Sequence, residues 1–236
     1  MATATQVREF REQSEALVLL AQRDLAGFWA SLDLYRDPFS VRDAVSELMP
    51  ELIGAYGNSE ALIAADFYDM LRDVPPSAAS FQALMADPPS NPEQFHGTAS
   101  WAIAPLLGDE PNAAGALERL NGAVTRLVMQ PNRETIVRSV AKDKHAAGWE
   151  RSTRVGSCRF CQMLAGRDGA VYKRETALVA AHDRCKCVAV PSWDPSAPEV
   201  PVYAYVASKT TSAMSPVQRE KHRARVRDYL DANIPK

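Results

Sequence analysis

Cys158-Arg-Phe-Cys161 and His182-Asp-Arg-Cys185-Lys-Cys187 bound a thirty-residue stretch that holds all four cysteines of a 236-residue chain. Ahead of this stretch apolar residues recur with a helical period; within it the period shortens to that of turns and strands. A Cys-x-x-Cys turn brings two thiolates onto one metal ion. The second half supplies an imidazole and two thiols. His182 and Cys185 are three apart, as on a turn, and Cys185 and Cys187 point the same way on an extended chain.

Zinc takes four ligands in a structural site, and the sequence offers five: Cys158, Cys161, His182, Cys185 and Cys187. Cys158 and Cys161 head the set. Spacing leaves open which two of His182, Cys185 and Cys187 complete it. No position is evidently reserved for water, which points to a structural ion. Arg159, Arg184 and Lys186 lie between the candidate ligands and are expected to offset thiolate charge. A redox pair would need a thioredoxin-type strand–helix unit, which the helical first half does not supply. A Cys-His hydrolase with His182 as base would leave three cysteines without a role. The sequence contains no phosphate loop, no His-Glu-x-x-His and no Gly-x-Ser-x-Gly.

Working outward, Phe10, Leu17, Val18, Leu25, Phe28, Trp29 and Leu32 mark one helical stripe between about Gln6 and Tyr35, stopped at Asp37-Pro38. Ser40 is expected to cap a second helix that Gly57 ends, and Ser59 a third that closes at Pro75-Pro76. Residues 75–97 carry five prolines and read as a connector that wraps another surface, with room for a short helix at Phe81 to Met85. Helices are expected from Thr98 to Leu107, from Asn112 to Gln130, and from Pro131 to about Ala147. Val171-Tyr172 and Val188-Ala189-Val190 read as short strands. Ser215-Pro216-Val217-Gln218 combines a cap, a first-turn proline and a capping-box glutamine, so a last helix begins there.

Composition is that of a globular protein, with 46% apolar and 24% charged residues and no apolar run of membrane-crossing length. The N-terminus lacks the basic-then-apolar plan of a signal peptide, so folding in a reducing cytosol is expected. The net charge of −2 conceals a split. Residues 1–132 carry eight basic and eighteen acidic residues, net −10; residues 133–236 carry nineteen and eleven, net +8. The halves either attract each other or face different partners. Arg219, Lys221, Arg223, Arg225 and Arg227 on the last helix are candidate contacts to nucleic-acid phosphates, although their alternate spacing scatters them around the helix.

Trp149-Glu-Arg-Ser, Cys158-Arg-Phe-Cys161-Gln-Met-Leu-Ala-Gly166, Val171-Tyr172 and His182-Asp-Arg-Cys185-Lys-Cys187-Val188 together resemble the MuF-like minor head proteins of tailed phages. Trp29-Ala-Ser-Leu-Asp33 and Asp66-Phe-Tyr68-Asp-Met-Leu-Arg72 are more loosely similar to versions from phages of actinobacteria. The resemblance implies a structural, non-enzymatic protein of the phage head, acting in procapsid morphogenesis near the portal. Its implied partners are the portal, the major capsid or scaffold protein, and packaged DNA; its implied location is the virion, after assembly in the host cytoplasm. The alternatives are a Cys/His hydrolase such as a capsid maturation protease, or a zinc-stapled DNA-binding protein. With 49 residues after the cluster, no appended domain is expected downstream.

The expected architecture is mainly α. An acidic helical domain spans 1–148, a small Cys/His α+β module with structural zinc spans 149–193, and an extended arm with a basic C-terminal helix spans 194–236.

Overall fold

Thr3 accepts a hydrogen bond from the Gln6 amide while the Gln6 side chain accepts from the Thr3 amide, and this reciprocal cap starts α1, Ala4–Ala30. In the computed structural model the described residues are 2–72, 74–75, 79–154, 157, 159–165, 169–173, 179, 182–200 and 214–233. The stripe of α1 is buried at Phe10, Val18, Ala21, Leu25 and Trp29, as its period requires.

The second helix differs from expectation at both ends. α2 spans Pro38–Leu71 without a break. Its cap is Asp37, whose carboxylate accepts from the Phe39 amide, with Pro38 in the first turn. Gly57, read from sequence as a stop, is a packing glycine. A methyl group there would lie 3.0 Å from Pro88 Cβ and 3.2 Å from Pro131 Cγ. Two proline rings therefore press against the helix where it has no side chain. Ser59 does not cap; its hydroxyl donates to the Ala55 carbonyl one turn back. The resulting long rod packs against α1, α3 (Pro92–Ile103), α4 (Ala113–Val128) and α5 (Gln130–Lys142).

The proline-rich connector does wrap a surface. No helix forms at Phe81 to Met85; the chain runs extended along α5. The Leu84 and Ala86 amides donate to Ser139 Oγ and Thr135 Oγ1 at 2.8 and 2.9 Å, so buried hydroxyls of α5 replace a strand partner. The connector also meets Arg72, which donates to the Ala79 carbonyl and forms a 2.7 Å ion pair with the buried Asp143 carboxylate.

After α5 the chain turns into β1 (Gly148–Ser152), which pairs antiparallel with β2 (Val188–Ser192) and sets Arg151 opposite Ala189. Gly148 permits this turn: a Cβ would lie 2.7 Å from Val171 and 2.9 Å from the Tyr172 carbonyl. Val171 and Tyr172 make single bridges to Glu199 and Trp149, and the Trp149 and Tyr172 rings stack at 4.4 Å. Trp149 and Val188 to Val190 belong to the same buried cluster as Phe10, Ile53, Leu120 and Ile136. A short helix with no clear sequence signal, α6 (Arg159–Ala165), begins within the Cys-x-x-Cys pair. The last helix, α7 (Pro216–Asn233), starts at the expected reciprocal cap between Ser215 and Gln218. No described helix is long and apolar enough to cross a membrane.

A carboxyl lies deep in this core among other buried polar groups. Glu60 of α2 is fully buried and accepts from Ser14 of α1 at 2.8 Å and from Asn132 of α5 at 2.9 Å. Burial pushes its carboxyl up to about 8, against the opposing pull of those two hydrogen bonds and of Arg133.

Substitution tests these contacts. Gly57→Leu forces bulk between Pro88 and Pro131 and should destabilise by about 1–3 kcal/mol in urea unfolding. Gly54→Ala, three residues away with open space around its Cβ, should stabilise by roughly 0.5–1 kcal/mol. A carboxyl whose folded pKa is raised contributes stability that is whole below its ordinary value, near 4.5, and is lost as pH rises through about 8. Glu60→Gln should remove this slope, so the gap between variant and wild type changes by something of the order of 4 kcal/mol across that window.

Candidate metal centre

Arg184 adopts a left-handed backbone, φ 64°, which a non-glycine residue takes up only where its surroundings demand it. It reverses the chain so that the Cys185 amide donates to the His182 carbonyl. The turn is held against α4. The Arg184 amide donates to the Gly122 carbonyl at 3.1 Å, Asp183 pairs with Arg126 at 2.8 Å, and Arg184 pairs with Glu118 at 2.9 Å. Gly122 permits the approach, since a Cβ there would lie 3.2 Å from both Arg184 Cγ and Asp183 Cβ.

From Cys185 the chain extends into β2. Residues 185, 187 and 189 face one way, the side toward which Arg151 projects from β1. Arg151 donates to Cys187 Sγ at 2.7 Å. Cys161, in the first turn of α6, comes to the same place. Its sulfur is 3.5 Å from that of Cys185, 3.7 Å from that of Cys187 and 3.8 Å from His182 Nε2. The Cys185 and Cys187 sulfurs are 2.8 Å apart. Each of these three thiols is at most 3% exposed, and they form a buried cluster of their own. His182 is exposed and donates from Nδ1 to the Asp183 carbonyl, which leaves Nε2 as the acceptor facing the sulfurs.

Behind the cluster lies a buried cation. Arg133 of α5, 3% exposed, donates from Nη2 to the Cys185 carbonyl at 2.6 Å and from Nε to the Cys187 carbonyl at 3.0 Å. The hydrogen bond from Cys187, reinforced by the Arg133 charge, pulls the Cys185 thiol well below the usual cysteine range. That same hydrogen bond, together with burial, pushes Cys187 up. The two sulfurs titrate as one unit.

Cys161, His182 and Cys185 have ligand atoms within 4.8 Å of one another and could hold a metal ion. Sulfurs at about 2.3 Å from a tetrahedral zinc lie about 3.8 Å apart, and a sulfur and an imidazole nitrogen about 3.6 Å apart. The Cys161 distances fit those edges, so the residues present suit a thiolate-binding metal.

Of the residues expected to form the site, the fold thus brings Cys161, His182, Cys185 and Cys187 together; Cys158 lies outside the described residues, as does the side chain of Arg159. Arg184 and Lys186, expected to offset thiolate charge, instead pair with Glu118 and with Glu15 of α1, the latter at 3.7 Å. Among the described residues, the cations at the cluster are Arg133 and Arg151. Neither was read from sequence as a partner of the cluster, because Arg133 lies on α5, 52 residues before Cys185, and Arg151 on β1, 36 residues before Cys187. Arg219, Lys221, Arg223, Arg225 and Arg227 are all exposed on α7, with Arg223 and Arg227 paired to Glu220.

The model of the VG15 protein family matches residues 1–210. The chain belongs to the VG15 family. This is a family of phage proteins, and the match runs through the helical body, both strands and the Cys/His cluster of this VG15 member. No curated protein and no solved structure gives a significant match.

Arg133 is the site's link to the body. Arg133→Met should leave two buried carbonyls without donors and cost about 3 kcal/mol in thermal or urea unfolding. Arg133→Lys should not restore it, because one ammonium cannot reach both carbonyls as the fork does.

Proposed function

We propose that this phage protein is a MuF-like minor head protein: a non-enzymatic factor of procapsid morphogenesis that acts near the portal and carries one structural zinc. The observation that carries the reading is how the Cys/His cluster is built. Its turn is docked on α4 by two ion pairs and a backbone hydrogen bond, and the carbonyls around it are gripped by Arg133 of α5. An ion there would staple the end of the helical body. A protease would need its thiol open to a peptide, whereas the described thiols are at most 3% exposed. Membership of a phage protein family supports the setting, and the motifs around Trp149 and Cys158 supply the MuF-like resemblance.

Charge supports two kinds of partner. Part of the split between the halves is used within the chain, in Glu15 with Arg154 and Lys186, and in Glu118 with Arg184. What remains exposed on α7 is basic and suits DNA phosphates. The acidic helices suit a basic surface on portal, capsid or scaffold protein. In this reading the protein is assembled in the host cytoplasm and resides in the virion.

Full-length tagged protein expressed in infected cells should co-purify with the portal or major capsid protein, and purified virions should contain it at low copy by mass spectrometry. Its absence from heads and procapsids alike would refute the assignment.

A further inference from the structure

We infer that the groove between α1 and the C-terminal end of α2 is a docking site for a basic amphipathic helix of a partner protein. This rests on the reading above, in which the acidic helices meet a basic surface on portal, capsid or scaffold protein, and it locates that meeting.

α1 and α2 run antiparallel here: Phe10 stacks on Phe67, Ser14 donates to Glu60, and Tyr56 donates to Asp24. The two stacked rings, buried and 4.0 Å apart, form the floor of a groove of about 330 Å³. Glu9 flanks it on the α1 side, and Ile63, Asp66 and Met70 flank it on the α2 side. Those three recur at steps of three and four, so they share one face of the helix. Met70 is 60% exposed, and Leu62, one turn before Asp66, is 51% exposed. Every described residue that lines the groove belongs to α1 or α2, so no third element covers it.

Shape and charge together select the occupant. The trough lies between two antiparallel helices and runs along two turns of α2, about 10 Å. It is open along its length and would leave a small ligand largely in water, whereas a third helix crosses it with side chains from successive turns. Apolar residues of that helix at i and i+4 would rest on the phenylalanine floor and on Met70, whose unbranched thioether adapts to what it meets. The flanks call for cations. The lining residues include two carboxylates and no basic group, and neither Glu9 nor Asp66 is in an ion pair with a described residue. Glu15 and Glu118, by contrast, are engaged in docking the Cys/His turn and its surroundings. Residues 1–72 carry six basic and twelve acidic residues, net −6, so the field around the groove draws in a Lys- or Arg-bearing partner.

Fluorescence anisotropy on the full-length protein tests the inference. The probe is a labelled synthetic peptide of about eighteen residues, with Leu at every third or fourth position and Lys elsewhere. It should bind, and bind less as NaCl is raised; the analogue with Glu in place of Lys should not bind. Glu9→Lys with Asp66→Lys should weaken the complex about tenfold. Glu47→Lys with Glu51→Lys, the same change of charge at exposed positions nearer the start of α2, should weaken it far less. Should the first pair fail to fold, Glu9→Gln with Asp66→Asn, of nearly the same shape, should show a smaller loss in the same direction. Absence of binding, binding of the Glu analogue, or equal losses in the two Lys pairs would overturn the groove. Self-association of the wild type that Glu9→Lys with Asp66→Lys abolishes in sedimentation would seat a second copy there and overturn the partner. If the wild type enters heads and the Glu9→Lys, Asp66→Lys variant enters equally well, the groove fails and the head assignment stands. If the peptide binds as expected and the wild type is absent from heads, the head assignment fails and the groove stands.

Discussion

Arg133 is a cation placed where water does not reach, and much of the molecule can be understood from what that placement demands. A buried guanidinium is costly unless its donors and its charge are both met. The donors are met by the carbonyls of Cys185 and Cys187, and the charge acts on the sulfurs of those residues. The arrangement is tolerable only if β2 and the turn before it stay pressed against α5. The helical body and the Cys/His segment therefore share one core, in which Trp149 and Val188 to Val190 pack with Leu120 and Ile136.

The same region shows how the chain manages polar groups inside a helical core. Asn132, next to Arg133, donates to Glu60, and Ser14 donates to it from α1. Thr135 and Ser139, further along α5, receive the amides of the connector. One face of α5 thus holds a carboxyl, two backbone amides and two backbone carbonyls. It joins α1, α2, the connector and β2. Its low apolar content, which weakens the helix as a sequence signal, is a consequence of its use as a polar seam.

The charge distribution follows the same logic. A net −10 half and a net +8 half suggest separate partners, yet Glu15 and Glu118 on the helical side meet Arg154, Lys186 and Arg184 on the other. The asymmetry partly serves to dock the cluster. Exposed surface ion pairs add little stability singly, but two of them, a backbone hydrogen bond and a shared core hold one turn in place. The basic residues of α7 take no part in this docking.

Local signals in the sequence were enough for the mainly helical class, the stripe of α1, the reciprocal cap of α7, the strand at Val188, the wrapping connector and the residue types of the Cys/His cluster. Each depends on neighbours within a turn or two, which is the range over which periodicity and capping act. Tertiary structure decided the rest. Gly57 is a helix stop by local rule and a packing surface for Pro88 and Pro131 in the fold. Ser59 is a cap by local rule and bonds back along an unbroken α2. The Cys/His cluster itself was read from spacing, but spacing treats Cys185 and Cys187 alike because they share a strand face. What separates them is Arg151 on the facing strand, 36 residues back along the chain. Five candidate ligands were legible as a pattern; the contacts of Cys185 and Cys187 with Arg133 and Arg151 are ones that only the folded chain brings together.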